Sequence, residues 1–428
     1  MQTEFTAAQL ADPQLEEANA ILRTCVHCGF CLATCPTYLI LGDELDSPRG
    51  RIYLAKEILE TGRPATPQVV KHLDRCLTCL SCMTTCPSGV DYAHLIERAR
   101  VDVESRSSRR LGDRLLRRFL ALLVPYPSRF RIAVAGGKLA RPFRRLMPGR
   151  LKAMVAMAPR RIGMPSPVDK PQVFPAVGPR RKRVALLPGC AQQVLRPQIN
   201  EASVRILTRH GCEVVVARGV GCCGAVVLHM GEEAAARRAA KANIAAWLKE
   251  IEGDGLDAIV FNASGCGVSL KDYGHLLRHD PQWAEPARRV AAIGKDISEV
   301  LLGLNLRPAV PEPNITVAYH MACSMQHGLG LRGPAKQLLA AMGFDVREPA
   351  EAHICCGSAG SYSVLEPELA DRLRARKVSH LEAVRPNVIA AGNIGCINHI
   401  AAATAIPVVH TVELLDWMTG GRKPAELS

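Results

Sequence analysis

Apolar residues follow three different rhythms along the chain, and each rhythm marks a region. In the first hundred residues, Ile52, Ala55, Ile58 and Leu59 recur at helical spacing behind Ser47 and Pro48 and stop at Gly62. Ser47 suits an N-cap, Pro48 the first helical position and Gly62 a terminator, so a helix is predicted between them. From about 100 to 183, Leu111, Leu115, Phe119 and Leu122 keep the same spacing with Arg110, Arg114, Arg117 and Arg118 beside them, which predicts an amphipathic helix with a basic rim. Pro125, Pro127, Pro142, Pro148, Pro159, Pro165 and Pro167 punctuate this stretch, favouring short helices and linkers over a compact domain. Beyond Arg183 the rhythm shortens. Val184–Leu187, Glu213–Ala217, Ala258–Phe261, Ile315–Ala318, Phe344–Arg347 and Asn387–Ala390 read as buried strands, with helical stretches such as Glu232–Glu250 and Glu368–Glu382 between them. That alternation predicts α/β architecture with largely parallel strands.

The third region repeats itself. Cys190 stands 32 residues before Cys222-Cys223-Gly224, with Cys266 following; Cys323 stands 32 residues before Cys355-Cys356-Gly357, with Cys396 following. In each copy the lone cysteine follows the first strand, the pair follows the second, and the last cysteine follows the third. Carboxyl ends of strands in open α/β sheets face one crevice, so the four thiols of each copy are expected to converge.

Charge changes the picture of the middle segment. The chain carries a net +14. Between Arg98 and Arg183 stand 23 Lys and Arg against four acids, Asp102, Glu104, Asp113 and Asp169, so the rest of the chain is net negative. A basic segment with an apolar stripe suits anionic lipid headgroups or another subunit; a solvated linker is the plainer alternative. Nucleic acid is not expected, because interleaved stacking aromatics are missing. Residues 1–20 carry Asp12, Glu16 and Glu17 and lack a basic start followed by an apolar core, so no secretory signal is expected, nor is any run long enough to span a bilayer. In a cytoplasmic protein, 17 cysteines are expected to bind metal rather than pair as disulfides.

Two runs carry the sharpest chemistry. Cys25-x2-Cys28-x2-Cys31-x3-Cys35-Pro36 and Cys76-x2-Cys79-x2-Cys82-x3-Cys86-Pro87 match the bacterial ferredoxin spacing, in which the fourth cysteine serves the other cluster. One [4Fe–4S] cluster would then take Cys25, Cys28, Cys31 and Cys86, and the other Cys76, Cys79, Cys82 and Cys35. Three thiolates on one tight loop can reach three irons of a cube while the loop's N–H groups face its sulfides. Structural zinc needs only four ligands per ion, which two complete runs exceed. His27, inside the first run, is either a hydrogen-bond partner of its cluster or a solvated loop residue. The expected organisation is α+β and multidomain. An α-helical ferredoxin-like module spans 1–100, a basic connector with amphipathic helices spans 101–183, and a duplicated α/β domain occupies 184–310 and 311–428.

For Cys190, Cys222, Cys223 and Cys266, and for Cys323, Cys355, Cys356 and Cys396, metal ligation is favoured over inert burial, because adjacent cysteines form disulfides only under strain. Gly219-Val220-Gly221-Cys222-Cys223-Gly224 formally matches a dinucleotide fingerprint. The second copy reads His353-Ile354-Cys355-Cys356-Gly357 and keeps the cysteines instead of the glycines, which argues against a nucleotide. His320, Gln326 and His327 flank Cys323 and are either donors near a metal, contacts for a redox acceptor, or packed side chains. Cys212 has no counterpart in the repeat and reads as a buried strand residue. No Ser/His/Asp array or flavin fingerprint is present, so no catalytic residue is assigned and substrate chemistry is expected on a partner chain. A scaffold whose clusters only hold shape, and a thiol enzyme acting at the duplicated sites, are the rival readings.

The chain resembles the glycolate oxidase iron–sulfur subunit family over essentially its whole length. The resemblance rests on Cys25-Val-His-Cys28-Gly-Phe-Cys31, Gly42-Asp-Glu-Leu-Asp-Ser-Pro-Arg-Gly-Arg51-Ile-Tyr, Asp74-Arg-Cys76-Leu-Thr-Cys79, Ala263-Ser-Gly-Cys266-Gly and Cys355-Cys-Gly-Ser-Ala-Gly360. It implies two CCG domains, and an oxidoreductase complex in which partner subunits carry FAD and oxidise glycolate or another 2-hydroxy acid. This subunit would pass the electrons toward membrane quinone from the cytoplasmic face of the cell membrane. Complexes acting on D-lactate or glycerol 3-phosphate, or resembling heterodisulfide reductase, are the alternatives. Some heterodisulfide reductase relatives end each copy with Cys-x-x-Cys, whereas here Gly-Val-Ser269 follows Cys266 and Ile-Asn-His399 follows Cys396. A four-ligand [4Fe–4S] cluster or zinc is therefore the expectation at each CCG site.

Overall fold

The computed structural model describes residues 1–147, 149–157 and 162–428. Helices build the N-terminal part. Pro48–Thr61 begins where Ser47 accepts a hydrogen bond from the Gly50 N–H and ends at Gly62, whose φ is 62°. Its buried Ile52, Ala55, Ile58 and Leu59 join Leu15, Leu22, Leu73, Leu95, Ile96 and Ala99 in one small core. The helix Tyr92–Arg106 runs past residue 100 and ties this core to the middle stretch of the chain.

That middle stretch forms helices Leu111–Leu123, Pro127–Ala140 and Gly149–Met157. Pro148 and Pro159, two of the expected breakers, lie outside the described residues. One side of Leu111–Leu123 is anchored: Leu120 is buried with Val227, Leu228, Met230, Val364 and Leu365. The other side faces outward, with Leu111, Leu115, Phe119 and Leu122 47–70% exposed. Among the described residues no helix is long and apolar enough to cross a membrane.

Among the described residues, nine strands form two sheets: β1 (Gln172–Phe174), β2 (Lys182–Leu187), β3 (Cys212–Val216), β4 (Ala258–Phe261), β5 (Gly294–Asp296), β6 (Thr316–His320), β7 (Asp345–Arg347), β8 (Val388–Ala391) and β9 (Val408–His410). The first sheet runs β1-β3-β2-β4-β5 and the second β7-β6-β8-β9. Without β1 the two orders are the same, and all pairings other than β1 with β3 are parallel. Val184 of β2 pairs with Val214 and Ala258, and Val317 of β6 with Val346 and Val388. The six strands expected from sequence are β2, β3, β4, β6, β7 and β8, each displaced by no more than a residue or two. The stretch read as connector ends differently, because β1 lies within it and closes an edge of the first sheet antiparallel to β3.

Alternation along β2 splits its side chains between two cores. Ala185 and Leu187 face a core on one side of the first sheet with Trp247, Phe261 and Tyr273. Val184 and Leu186 face a core that also contains Val317, Tyr319, Ile389, Val409 and Leu415 from the second sheet. Across that joint, Arg205 and Arg209 reach the buried Asp416 at 2.6 and 2.9 Å.

Candidate metal centres

β3 and β4 flank β2 on opposite sides, as β7 and β8 flank β6, so crossovers diverge between β2 and β4 and between β6 and β8. Loops leaving the carboxyl ends there open a crevice. Cys190 follows β2 by three residues and Cys323 follows β6 by three. Within the crevices Cys190 and Cys222 Sγ are 3.6 Å apart, and Cys323 and Cys355 Sγ 3.7 Å. The Gly224 and Gly357 N–H groups each donate to the sulfur two residues back, both at 3.4 Å. These glycines have φ of 92° and 90°, a left-handed conformation that bends the Cys-Cys pair inward. Cys266 and Cys396 sit in the first turns of helices Ser264–Lys271 and Ile394–Ala401. Asn393 donates to the Cys396 sulfur at 3.7 Å.

The two CCG crevices differ in lining. Gly224 packs on Ala236 and Gly357 on Ala370; seven residues beyond each alanine stand Asn243 and Lys377. Asn243 donates to the Cys222 carbonyl at 3.0 Å, and Tyr273 donates to the Cys223 carbonyl at 2.9 Å. Lys377 is 2% exposed; its ammonium donates to the Glu351 carbonyl and lies near Cys356, Cys355 and Cys323. Burial lowers its pKa, and the thiols around it oppose that shift. His320 is also buried here, and burial beside Lys377 pushes its pKa down to about 3, leaving a neutral ring.

The eight cysteines of the helical part line two adjoining cavities. Cys25, Cys28, Cys31 and Cys86 line one; Cys35, Cys76 and Cys79 line the other; Cys82 lines both. The two loops share a conformation: His27 and Thr78, each two residues after a first cysteine, have φ of 57° and 51°, and Gly29 and Leu80 come next at 85° and 62°. Holding non-glycine residues left-handed costs of order 1–3 kcal/mol each, which metal ligation of the loops would offset. None of the 17 cysteines is in a disulfide. Paired loops that turn free sulfurs toward common cavities fit iron–sulfur clusters, which would take their thiolates there and supply one-electron chemistry.

Sequence reasoning missed what surrounds the second cavity. Arg51 is 1% exposed and lies 3.9 Å from the Cys35 sulfur. It donates to the His72 carbonyl, Thr37 and Asp46. Asp46, fully buried, also accepts from Arg75 at 2.9 Å, and the His72 ring lies 3.1 Å away. Burial would raise the Cys76 thiol, yet the guanidinium groups of Arg51 and Arg100 and the Tyr92 hydroxyl hold it below its usual value. In the sequence Arg51 is visible only as part of a family motif. His27 packs edge-on to Tyr53, with ring centroids 5.9 Å apart.

The second cavity adjoins the second CCG crevice. Leu77 and Cys79 share an apolar cluster with Ile354, Cys355 and Tyr362, against which Cys323 packs. His327 bridges the same junction, accepting from Thr84 at 2.7 Å and donating to the His353 carbonyl at 3.1 Å. Gln326 is buried, with its amide 3.3 Å from His327. At the opposite end Cys28 is exposed, with exposed Val26 and Phe30 lining the same cavity and exposed Tyr53 packed on the neighbouring His27.

A third polar junction holds the helical part to the first sheet. His94 lies 2.5 Å from Asp91 and 2.9 Å from Asp272, stacks on His275 at 3.4 Å, and His275 lies 2.8 Å from Glu17. Burial would lower the His94 pKa, but Asp272 and Asp91 outweigh it and raise it to about 10.

Comparison with known proteins agrees with this anatomy. The 4Fe-4S dicluster domain family matches residues 21–90, and the cysteine-rich CCG domain family matches 184–271 and 317–401. The glycolate oxidase iron-sulfur subunit of Escherichia coli (strain K12) is 41% identical over 97% of this chain and 98% of its own length. The probable glycolate oxidase iron-sulfur subunit of Bacillus subtilis (strain 168) is 34% identical over 88% of this chain and 87% of its own. Lactate utilization protein A of Geobacillus thermodenitrificans is 27% identical over 55% of this chain and 98% of its own. A crystal structure of a hypothetical protein from Helicobacter pylori shares the fold at a TM-score of 0.56 and 9% identity, covering 99% of this chain and 75% of that one. With two relatives above 30% identity along nearly its full length, the chain belongs to the glycolate oxidase iron–sulfur subunit family, components of an oxidoreductase complex.

Proposed function

We propose that this chain is the electron-carrying subunit of a complex that oxidises glycolate or a related 2-hydroxy acid on partner flavin subunits. Cys25, Cys28, Cys31 and Cys86 would ligate one [4Fe–4S] cluster, and Cys76, Cys79, Cys82 and Cys35 the other. Cys190, Cys222, Cys223 and Cys266 would hold metal at the first CCG site, and Cys323, Cys355, Cys356 and Cys396 at the second. The observation that carries the reading is the line of sulfur groups from the exposed Cys28 edge, through Cys82 between the two cavities, to Cys79 packed with the second CCG crevice.

The protein's own residues give that line direction and potential. Exposed Val26, Phe30 and Tyr53 offer a partner an apolar landing around Cys28. Arg51 and Arg100 place fixed positive charge beside the second cavity, which favours added negative charge there. Membrane quinone is the proposed destination, and the outward stripe Leu111, Leu115, Phe119 and Leu122 with exposed Arg110, Arg114 and Arg118 suits the anionic inner leaflet. Iron, zinc and acid-labile sulfide counted per chain without air, with an EPR-monitored potential titration, test the reading. About eight irons correspond to two cubanes, and about twelve or sixteen to clusters at one or both CCG sites as well. Iron-free protein that still works in its complex would sink it.

A further inference from the structure

The second CCG crevice contains a group that the first lacks. His320 closes β6 three residues before Cys323, as Leu187 closes β2 three residues before Cys190. The imidazole is 2% exposed, and among the described residues neither ring nitrogen has a hydrogen-bond partner. A buried polar atom left unpaired has given up its hydration for nothing, so an imidazole with both nitrogens idle calls for a partner the chain does not supply. Its neighbours are two cysteine sulfurs. One His320 nitrogen and the sulfurs of Cys356 and Cys396 lie within 4.8 Å of one another. Metal–sulfur bonds of about 2.3 Å and metal–nitrogen bonds of about 2.0 Å put ligand atoms roughly 3.5–3.8 Å apart around a tetrahedral ion. The three atoms thus need only small side-chain rotations to share one.

We propose that His320 is a nitrogen ligand at the second CCG site, making its donor set mixed sulfur and nitrogen, while the first site, with Leu187 in the same place, is held by thiolates alone. The inference rests on the reading that the second set of CCG cysteines binds metal. Its chemical consequence is asymmetry between the copies. With the imidazole beside Cys356 and Cys396 on one four-coordinate ion, one cysteine of the set stays outside the shell, so the centre carries one negative charge fewer than an ion held by four thiolates. Buried Lys377, standing where the first copy has Asn243, acts in the same direction.

The test uses the full chain prepared without air, alongside Cys356→Ser and His320→Leu, the latter importing the residue that the first copy tolerates at this strand end. Circular dichroism and thermal unfolding establish that His320→Leu is folded. If the centre is iron, pulsed EPR of the reduced protein reads strongly coupled nitrogen; if it is zinc, zinc-edge X-ray absorption reads a nitrogen shell. The expected result is a nitrogen ligand in the parent chain, absent from folded His320→Leu, with a several-fold loss of second-site metal and the cubane iron unchanged. Cys356→Ser separates the two levels of failure. If that variant loses metal but the parent centre shows only sulfur ligands, the assignment of His320 is overturned alone. If it loses no metal, the underlying reading falls and takes the assignment with it.

Discussion

Burying a guanidinium costs several kcal/mol unless its partners are in place, and Arg51 is 1% exposed. Asp46, Thr37 and the His72 carbonyl satisfy it, while the sulfurs of Cys35 and Cys76 receive its field. Arg51→Gln therefore has two expected effects. Buried Asp46 loses part of its compensation, which costs about 3–5 kcal/mol when one member of a buried pair is removed and is read by chemical denaturation. The potential of the second cubane also falls, by roughly 60–100 mV, since about 59 mV corresponds to 1.4 kcal/mol for one electron. Arg51→Lys keeps the charge and should lower the potential much less, although its single ammonium cannot reproduce the fork. Equal potentials in all three proteins would remove Arg51 from the account. Glycine at the CCG turns gives a second comparison. A Cβ on Gly357 would meet the Ala370 carbonyl at 2.7 Å, whereas on Gly224 its nearest neighbours are Ala236 atoms at 3.3 Å. Gly357→Ala should accordingly destabilise by about 2–3 kcal/mol and Gly224→Ala by about 1–2 kcal/mol, with metal lost preferentially from the second site in the former.

At the scale of elements, the helix holding His94 meets the first sheet through a junction whose charge changes with pH. The folded pKa of His94 is about 10 against an ordinary 6.5. A group raised on folding contributes fully below its unfolded pKa and loses that contribution as pH climbs through the folded one. Docking of the helical part is therefore expected to weaken between about pH 6.5 and 10. Protection factors for hydrogen exchange in Pro13–Thr24, which carries Glu17, should fall across that window. His94→Gln should show lower protection at pH 6.5 and a flatter protection-factor profile; an unchanged profile would dismiss the junction as a pH-sensitive clamp. Which elements were legible in the sequence depends on their length and burial. β2, β4, β6 and β8 are runs of buried apolar residues, and Pro48–Thr61 carries both of its boundary signals. β5, Gly294-Lys295-Asp296, has no apolar residue to announce it, and β1 and β9 span three residues each. Cysteine spacing exposed the candidate ligands, but Arg51, Lys377 and the His94–Asp272 contact depend on folding that brings distant segments together.

For the whole molecule, two apolar surfaces lie on different parts and can be separated by mutation. Phe30→Glu, beside exposed Cys28, should slow reduction by the flavin partner at least tenfold while cluster content and vesicle binding stay as in the parent. Leu115→Glu with Phe119→Glu should do the reverse, abolishing sedimentation with anionic vesicles while leaving reduction by the partner intact. A chain that loses both properties in either variant would contradict separate docking faces. The core shared by the two sheets has a further consequence, for the chain's modularity. Cutting near residue 310 would split the core that Val184 and Leu186 share with Val317, Ile389 and Leu415 and leave Asp416 without Arg205 and Arg209. Neither half of the duplication should therefore survive as an autonomous fragment.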